Sequence, residues 1–260
     1  MSYEHLLYVK KLKKRNNLIK LTQVAILLSF FILWEVSSNM RWIDPFIFSS
    51  PSRLFNTLVN MVRNRTIFGH VGTTMGTTIA GFLISTILGV LISILLWFSE
   101  FLRKALNPYL VVLNSLPKTA LAPIIIVWFG NTVRSVVVTA VLTSIIVTII
   151  SVLTGFLEIA PQKIKLIKSF GGTKAQILTK VILPASVPTI ISALKINIGL
   201  SLVGVMVGEF LVASRGLGFL IIYGSQIFRM DLVMLSIMIL CLLAAAMYKL
   251  IIMLEKKFVP

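Results

Sequence analysis

The side chains with most chemical promise in this 260-residue chain are charges set inside apolar runs. Lys118 lies within the run 107–129, and Glu209 lies near one end of the run 187–213. A charge at bilayer depth is costly, and by default it marks a solute or ion pathway. Lys118 follows Pro117, which breaks a helix, so its long stem either snorkels to the interface or places the ammonium beside a pathway. The pathway is the role carried forward for it. Glu209 is expected to pair with an arginine such as Arg215, the alternative being that it faces a cavity that receives solute. Lys195 and Asn197, toward the other end of the same run, are expected to snorkel or to bond between helices.

Enzyme chemistry needs a nucleophile, a base or a metal set gathered in one place, and eight acidic residues spread along the chain do not supply one. The phosphate-binding pattern G-x-x-x-x-G-K-[ST] is missing, so any ATP must be bound and hydrolysed by a separate chain. The two histidines, His5 and His70, make no cluster, and His70 reads as a helix-start residue. Cys241 stands alone, which rules out an intrachain disulfide and a thiolate metal site. No catalytic residue, metal or cofactor is expected in this chain.

The elements that carry these residues follow from composition. The chain is 57% hydrophobic and 13% charged, with a mean hydropathy of +0.98, beyond what a soluble globular domain carries. Six runs are long enough to cross a bilayer: Leu21–Ser37, Thr73–Phe98, Asn107–Phe129, Val133–Phe156, Val187–Ala213 and Leu232–Leu254. Period-two alternation is lacking, so the spans are helices and the fold class is an all-α membrane protein. A net charge of +17 raises nucleic acid as a partner, but the cations sit between apolar runs rather than on one polar face, which points to membrane lipid instead. With both termini cytoplasmic, 16 basic residues fall inside and seven outside, and Lys118 and Lys195 fall within spans. The positive-inside rule supports that orientation.

Residues 1–20 form a basic cytoplasmic N-terminus with no small-residue cleavage site after it, so the first span is expected to stay uncleaved. Residues 21–260 form a single membrane domain. Pro45 and Pro51 break the chain after the first span, and the spacing of Leu54, Phe55, Leu58, Val59 and Val62 predicts an amphipathic surface helix over Ser52–Arg65. Gly76, Gly81, Gly89, Gly199, Gly204 and Gly208 are expected to allow close helix approach.

The loop 157–186 between spans four and five is the most informative stretch. Pro161 suits a first helical turn, Gly171 and Gly172 suit a helix end, and Thr173 with Gln176 fits a capping box. A second helix should begin there, with an apolar stripe of Ala175, Ile177, Leu178, Val181 and Ile182, and Pro184 and Pro188 should end it. Phe170 is an apolar side chain on a basic loop, which burial in a partner groove would relieve.

The stretch SFGGTKAQILTKVILPASVPTIISALK, with Gly171 followed by Leu183-Pro184, resembles the E-A-A-x3-G loop of bacterial ABC importer permeases. His70 with Thr73 and Thr74, Gly81-Phe82, LPKTALAPIIIVWFG over Leu116–Gly130 and Gly216-Leu217-Gly218 resemble the nitrate, sulfonate and taurine branch, and the likeness covers nearly all of Pro51–Asp231. The resemblance implies a six-helix permease whose loop is a coupling helix docked on an ATPase, through Lys165, Ser169, Phe170, Gly171, Gly172, Thr173, Ile177, Leu183 and Pro184. It also implies two ATPase subunits that bind ATP, a second permease copy, an extracytoplasmic solute-binding protein and a bacterial inner-membrane location. Similar permeases serve thiamine-precursor pyrimidines and riboflavin, so the branch does not name the cargo. The chain departs from the pattern at Lys165-Leu166-Ile167, where Glu-Ala-Ala is usual, and at Ser144–Ile150, where relatives carry Phe-Phe-Pro-Ile. The rival readings are a secondary transporter or channel, which would need paired midplane charges or a repeat, and a polytopic lipid-modifying enzyme, which would need the missing site.

Overall fold

A chain surrounded by lipid must satisfy each backbone N–H and C=O internally, and the regular elements of the computed structural model are helices throughout its described residues, 3–212 and 214–258. Ala213, the expected end of the fifth span, lies outside them, as do residues 1–2 and 259–260. In order the elements are α1 (Tyr3–Asn39), α2 (Pro45–Phe48), α3 (Pro51–Arg63), α4 (Thr66–Phe98), α5 (Glu100–Ser115), a 3-10 turn (Lys118–Leu121), α6 (Ala122–Phe129), α7 (Val133–Leu157), α8 (Pro161–Ser169) and α9 (Lys174–Ile177). A π turn (Leu178–Ile182), α10 (Leu183–Val212), α11 (Leu217–Gln226) and α12 (Met230–Phe258) complete it. Among the described residues five helices are long and apolar enough to cross a bilayer, and counting the bent α5–α6 pair as one broken span gives six.

That third span, expected over 107–129, starts earlier, at Glu100, and breaks at Pro117 as expected. Its halves meet at 87°, because Pro117 has no N–H to continue the ladder and forces Leu116 into extended backbone with ψ at 138°. The first span also differs: α1 runs unbroken through the expected boundary near residue 20, for 37 residues. At about 1.5 Å per residue such a helix is about 55 Å long against a hydrocarbon core of about 30 Å, so its basic part projects past the bilayer. Pro184 and Pro188 do not end the helix that begins at Lys174, which continues to Val212. The π turn just before Pro184 shifts the hydrogen-bond register, and a ring in the first turn of α10 lacks only a bond it does not need.

The core is the trio α4, α7 and α10. Gly81, Ser85, Gly89 and Ser93 recur every fourth residue on the buried face of α4, and Ala140, Ser144 and Thr148 do so on α7. A β-carbon at Gly81 would lie 2.6 Å from that of Ala140, and one at Gly204 would lie 2.6 Å from the Ala140 α-carbon. Gly89 and Gly208 likewise face Thr148 and Val136, whereas Gly76 and Gly199 meet open space and play no such part. Several buried hydroxyls satisfy themselves on carbonyls one turn back, as Ser144 Oγ does on Ala140 at 2.8 Å and Thr148 Oγ1 on Ser144 at 3.0 Å. Ser93 Oγ also reaches across to the Ile149 carbonyl at 3.1 Å. Asn197 donates to Thr86 Oγ1 at 2.7 Å, tying α10 to α4, and Lys195 pairs with Glu255 of α12 at 2.7 Å. Both therefore bond between helices. The predicted surface helix is α3, with Pro51 in its first turn, Ser50 capping it and Leu54 and Thr57 buried beneath it.

Candidate functional sites at the two ends of the bundle

At one end, α8 and α9 make a compact helical corner. The Gly172 N–H donates to the Ile167 carbonyl and the Gly171 N–H to the Lys168 carbonyl, each at 2.9 Å, which is a Schellman ending. It requires a left-handed residue, and Gly171 sits at φ +74°. Two residues on, Thr173 and Gln176 form the expected capping box, Gln176 Oε1 accepting from the Thr173 N–H at 2.8 Å. The chain thus reverses between helices with its end groups satisfied.

The apolar stripe of this corner faces inward. Ile177, Leu178 and Ile182 are buried with Val152 and Phe156 of α7, and Ile164, Ile167 and Leu183 pack against them, as do Trp97 and Phe98 at the end of α4. Ile177, only 2% exposed, is therefore an anchor to the spans and not a surface residue as expected for docking. Lys165, Ser169, Gly171, Thr173 and Pro184 are exposed, and Phe170 stands 80% exposed at the apex. Lys118 is elsewhere, half-buried at the bend of the third span, with Nζ donating to Asn114 Oδ1 at 3.2 Å.

The far end of the bundle gathers residues that are remote in sequence. Glu209, 1% exposed near the end of α10, accepts from Thr74 Oγ1 of α4 at 2.8 Å and from the Gly218 N–H of α11 at 2.8 Å. Thr74 Oγ1 in turn accepts the Leu217 N–H at 2.8 Å. Gly216, at φ +120°, leaves no room for a β-carbon beside the Glu209 carboxylate, and His70 Nδ1 lies 3.2 Å from the Gly216 N. The expected pairing of Glu209 with Arg215 is not formed. Two neutral groups, the Thr74 hydroxyl of α4 and the Gly218 N–H of α11, supply its donors instead, so the carboxylate of α10 acts as a clasp joining α4, α10 and α11. Sequence reading singled out Thr74, Glu209 and Gly216-Leu217-Gly218 separately but missed that they are one network, because the 135 positions between Thr74 and Glu209 hide the contact. Beside the clasp, a cavity of about 360 Å³ is lined by the first turn of α7, the end of α10 and one face of α4, with Thr73, Thr77, Asn131, Glu209 and Arg215 among its walls.

Removing the carboxylate orphans the buried Thr74 hydroxyl and Gly218 N–H, at about 1–3 kcal/mol for each group, whereas glutamine keeps one acceptor oxygen. Thermal unfolding of the solubilised chain should fall in the order wild type, Glu209→Gln, Glu209→Ala. An alanine variant that unfolds with the wild type would show that the clasp contributes no stability.

Comparison with known proteins agrees with this architecture. Residues 81–255 match the family described as binding-protein-dependent transport system inner membrane component. The chain is 30% identical over 192 residues to the formylaminopyrimidine transport permease protein ThiX of Halalkalibacterium halodurans, covering 74% of this chain and 76% of that one. It is 23% identical to the taurine transport system permease protein TauC of Escherichia coli K12, covering 88% and 84%. A chain in the crystal structure of a bacterial ABC transporter involved in import of the acidic polysaccharide alginate superposes with a TM-score of 0.68 at 14% identity, over 97% of this chain and 100% of that chain. Taken with the span count and the helical corner between spans four and five, the matched residues settle the assignment: this chain belongs to the family of binding-protein-dependent transport system inner membrane components, the permeases of ABC transporters.

Proposed function

We propose that this permease works as a pair of identical copies driven by separate ATPase subunits, which bind ATP and grip the α8–α9 corner. An extracytoplasmic binding protein delivers the cargo at the far end, a small solute of the nitrate, sulfonate and taurine kind or a vitamin precursor. Both termini are cytoplasmic in this reading. The observation that carries it is Phe170: an aromatic side chain, 80% exposed, held at the apex of a corner whose Ile164, Ile167, Ile177, Leu178 and Ile182 are packed onto the spans. ATP-driven closure of the ATPases draws the two corners together, and the anchored helices pass that motion to the cavity end, since alternating access needs only differential contacts in two states.

Burying a phenylalanine contributes about 1.5–3 kcal/mol, so Phe170→Asp should weaken ATPase association by roughly ten- to a hundred-fold and abolish uptake, with membrane insertion normal. Gly171→Val should do the same by closing the positive-φ turn to a β-branched residue. Lys10→Ala, on the exposed N-terminal part of α1, is the control. Copurification and uptake at wild-type levels in both corner variants would sink the docking assignment.

Orientation is read by cysteine labelling after the exposed Cys241 is replaced by alanine. Cysteines near Lys104 and Lys174 should react in intact cells only with membrane-permeant reagents, and those near Arg63 and Arg229 with impermeant ones. Labelling at Lys174 from outside would overturn the orientation and the docking role together.

Lys118 is assigned to the pathway on the strength of its half-buried place at the 87° bend. Lys118→Met keeps bulk and removes charge, and should lower uptake and cargo-stimulated ATP hydrolysis at unchanged expression. Wild-type values for both would make the lysine a bystander.

A further inference from the structure

The cavity beside the Glu209 clasp contains a cation that no acidic group among the described residues pairs with. Arg215 lines it, and the ion pairs among the described residues are Lys104–Glu100, Lys195–Glu255 and Arg229–Asp231, none of which involves Arg215. Glu209 shares the cavity, yet its oxygens are taken by Thr74 Oγ1 and the Gly218 N–H. The acid is thus held by the fold while the base is left open. The same wall adds neutral hydrogen-bonding groups from Asn131, Thr132 and Ser214. A planar guanidinium with two parallel N–H donors, flanked by amide and hydroxyl groups, is suited to oxygens of a carboxylate, sulfonate or phosphate.

We infer that this cavity is a binding subsite for the anionic group of a small solute, with the Arg215 guanidinium as its charged partner and Asn131, Thr132 and Ser214 as neutral partners. The inference rests on reading the chain as an importer's permease and adds the chemical class of what it carries. Its size, about 360 Å³, lies at the lower end of small-ligand sites. Its position fits entry rather than exit: Thr73 on its wall is 24 residues along α4 from Trp97, which packs on the docking corner, a separation of about 36 Å at 1.5 Å per residue. A lipid phosphate offers the same anionic oxygens. Val133, Val136 and Val212 also line the cavity, and the phosphatidylglycerol arm of the test separates a lipid headgroup from a free solute.

The test titrates the purified permease–ATPase complex, and the permease alone, with ethanesulfonate, against uncharged ethanesulfonamide and chloride at equal ionic strength, reading the unfolding midpoint. Ethanesulfonate should raise the midpoint saturably and the other two should not. Arg215→Gln should raise the half-saturating concentration at least ten-fold, and Arg215→Lys less. Arg215 is exposed and makes no side-chain hydrogen bond among the described residues, so neither variant removes a structural contact. Unchanged half-saturation in Arg215→Gln, equal response to the sulfonamide, or no saturable response overturns the subsite. A response to added dioleoylphosphatidylglycerol alone, lost in Arg215→Gln, also overturns it and assigns the cavity to a lipid headgroup. ATPase copurification reports separately: a complex that assembles without Arg215-dependent binding loses only the subsite, and Arg215-dependent binding by a chain that recruits no ATPase loses the importer reading and keeps the subsite.

Discussion

Three helices meet on the side chain and α-carbon of Ala140, and the rest of the bundle depends on how closely they do so. Lipid tails are as apolar as leucine, so burying apolar surface does not by itself pull spans together; close van der Waals approach and interhelical hydrogen bonds must do it. Ala140 is fully buried, with Gly81 of α4 against its methyl group and Gly204 of α10 against its α-carbon. Any larger residue at either glycine would push a whole helix outward. That spacing in turn brings Ser93 within reach of the Ile149 carbonyl and Asn197 within reach of Thr86. The same spacing sets the ends of the trio, where the α8–α9 corner and the clasp are built.

The two ends are built on different physics. At the corner the chain turns sharply near the bilayer surface, and local devices suffice: a Schellman ending, a capping box and an apolar underside pinned to α4 and α7. At the clasp, a buried carboxylate with no cation in contact is held by a hydroxyl and a backbone N–H from two other elements. Such a group is tolerated in a membrane interior only when its acceptor sites are filled. The corner's turn is therefore closed by groups a few residues apart, while the clasp exists only if α4, α10 and α11 are all in place.

This difference explains what the residues alone disclosed. Features set by neighbours a few positions apart were legible: the span count, the Thr173–Gln176 capping box, the end of α8 at Gly171 and α3 behind Pro51. Features set by tertiary contact were not. Glu209 carries the signature of a charge seeking an opposite charge, and nothing within a few residues of it indicates that Thr74 and Gly218 will fill its oxygens. Ile177 belongs to a stripe that fits equally a partner groove or the underside of the corner, and only the position of Phe156 and Val152 decides for the latter. Proline was legible at one place and misjudged at another. Pro117 breaks its span as read, whereas Pro184 lies within a helix read as ending, because the π turn before it provides a register that tolerates the ring.

The helix that joins the two ends has a built-in place to yield. From Lys174 to Val212 it is a single 39-residue element, about 58 Å at 1.5 Å per residue, with one terminus in the α8–α9 corner and the other at the clasp. A rigid rod of that length would convert a small tilt at the corner into a large displacement at the cavity. This one is weakened near the corner, by the π turn over Leu178–Ile182 and by Pro188 one turn beyond Pro184, both of which remove or misalign ladder bonds. Beyond Pro188 it is clamped by Asn197, Gly204 and Gly208 against α4 and α7. The buried face of the π turn is itself fixed to Phe156. In the proposed docking, a push on Phe170 would reach α7 through the corner's apolar underside as well as α10 through its backbone, so the packed pair would move together rather than one helix bending alone.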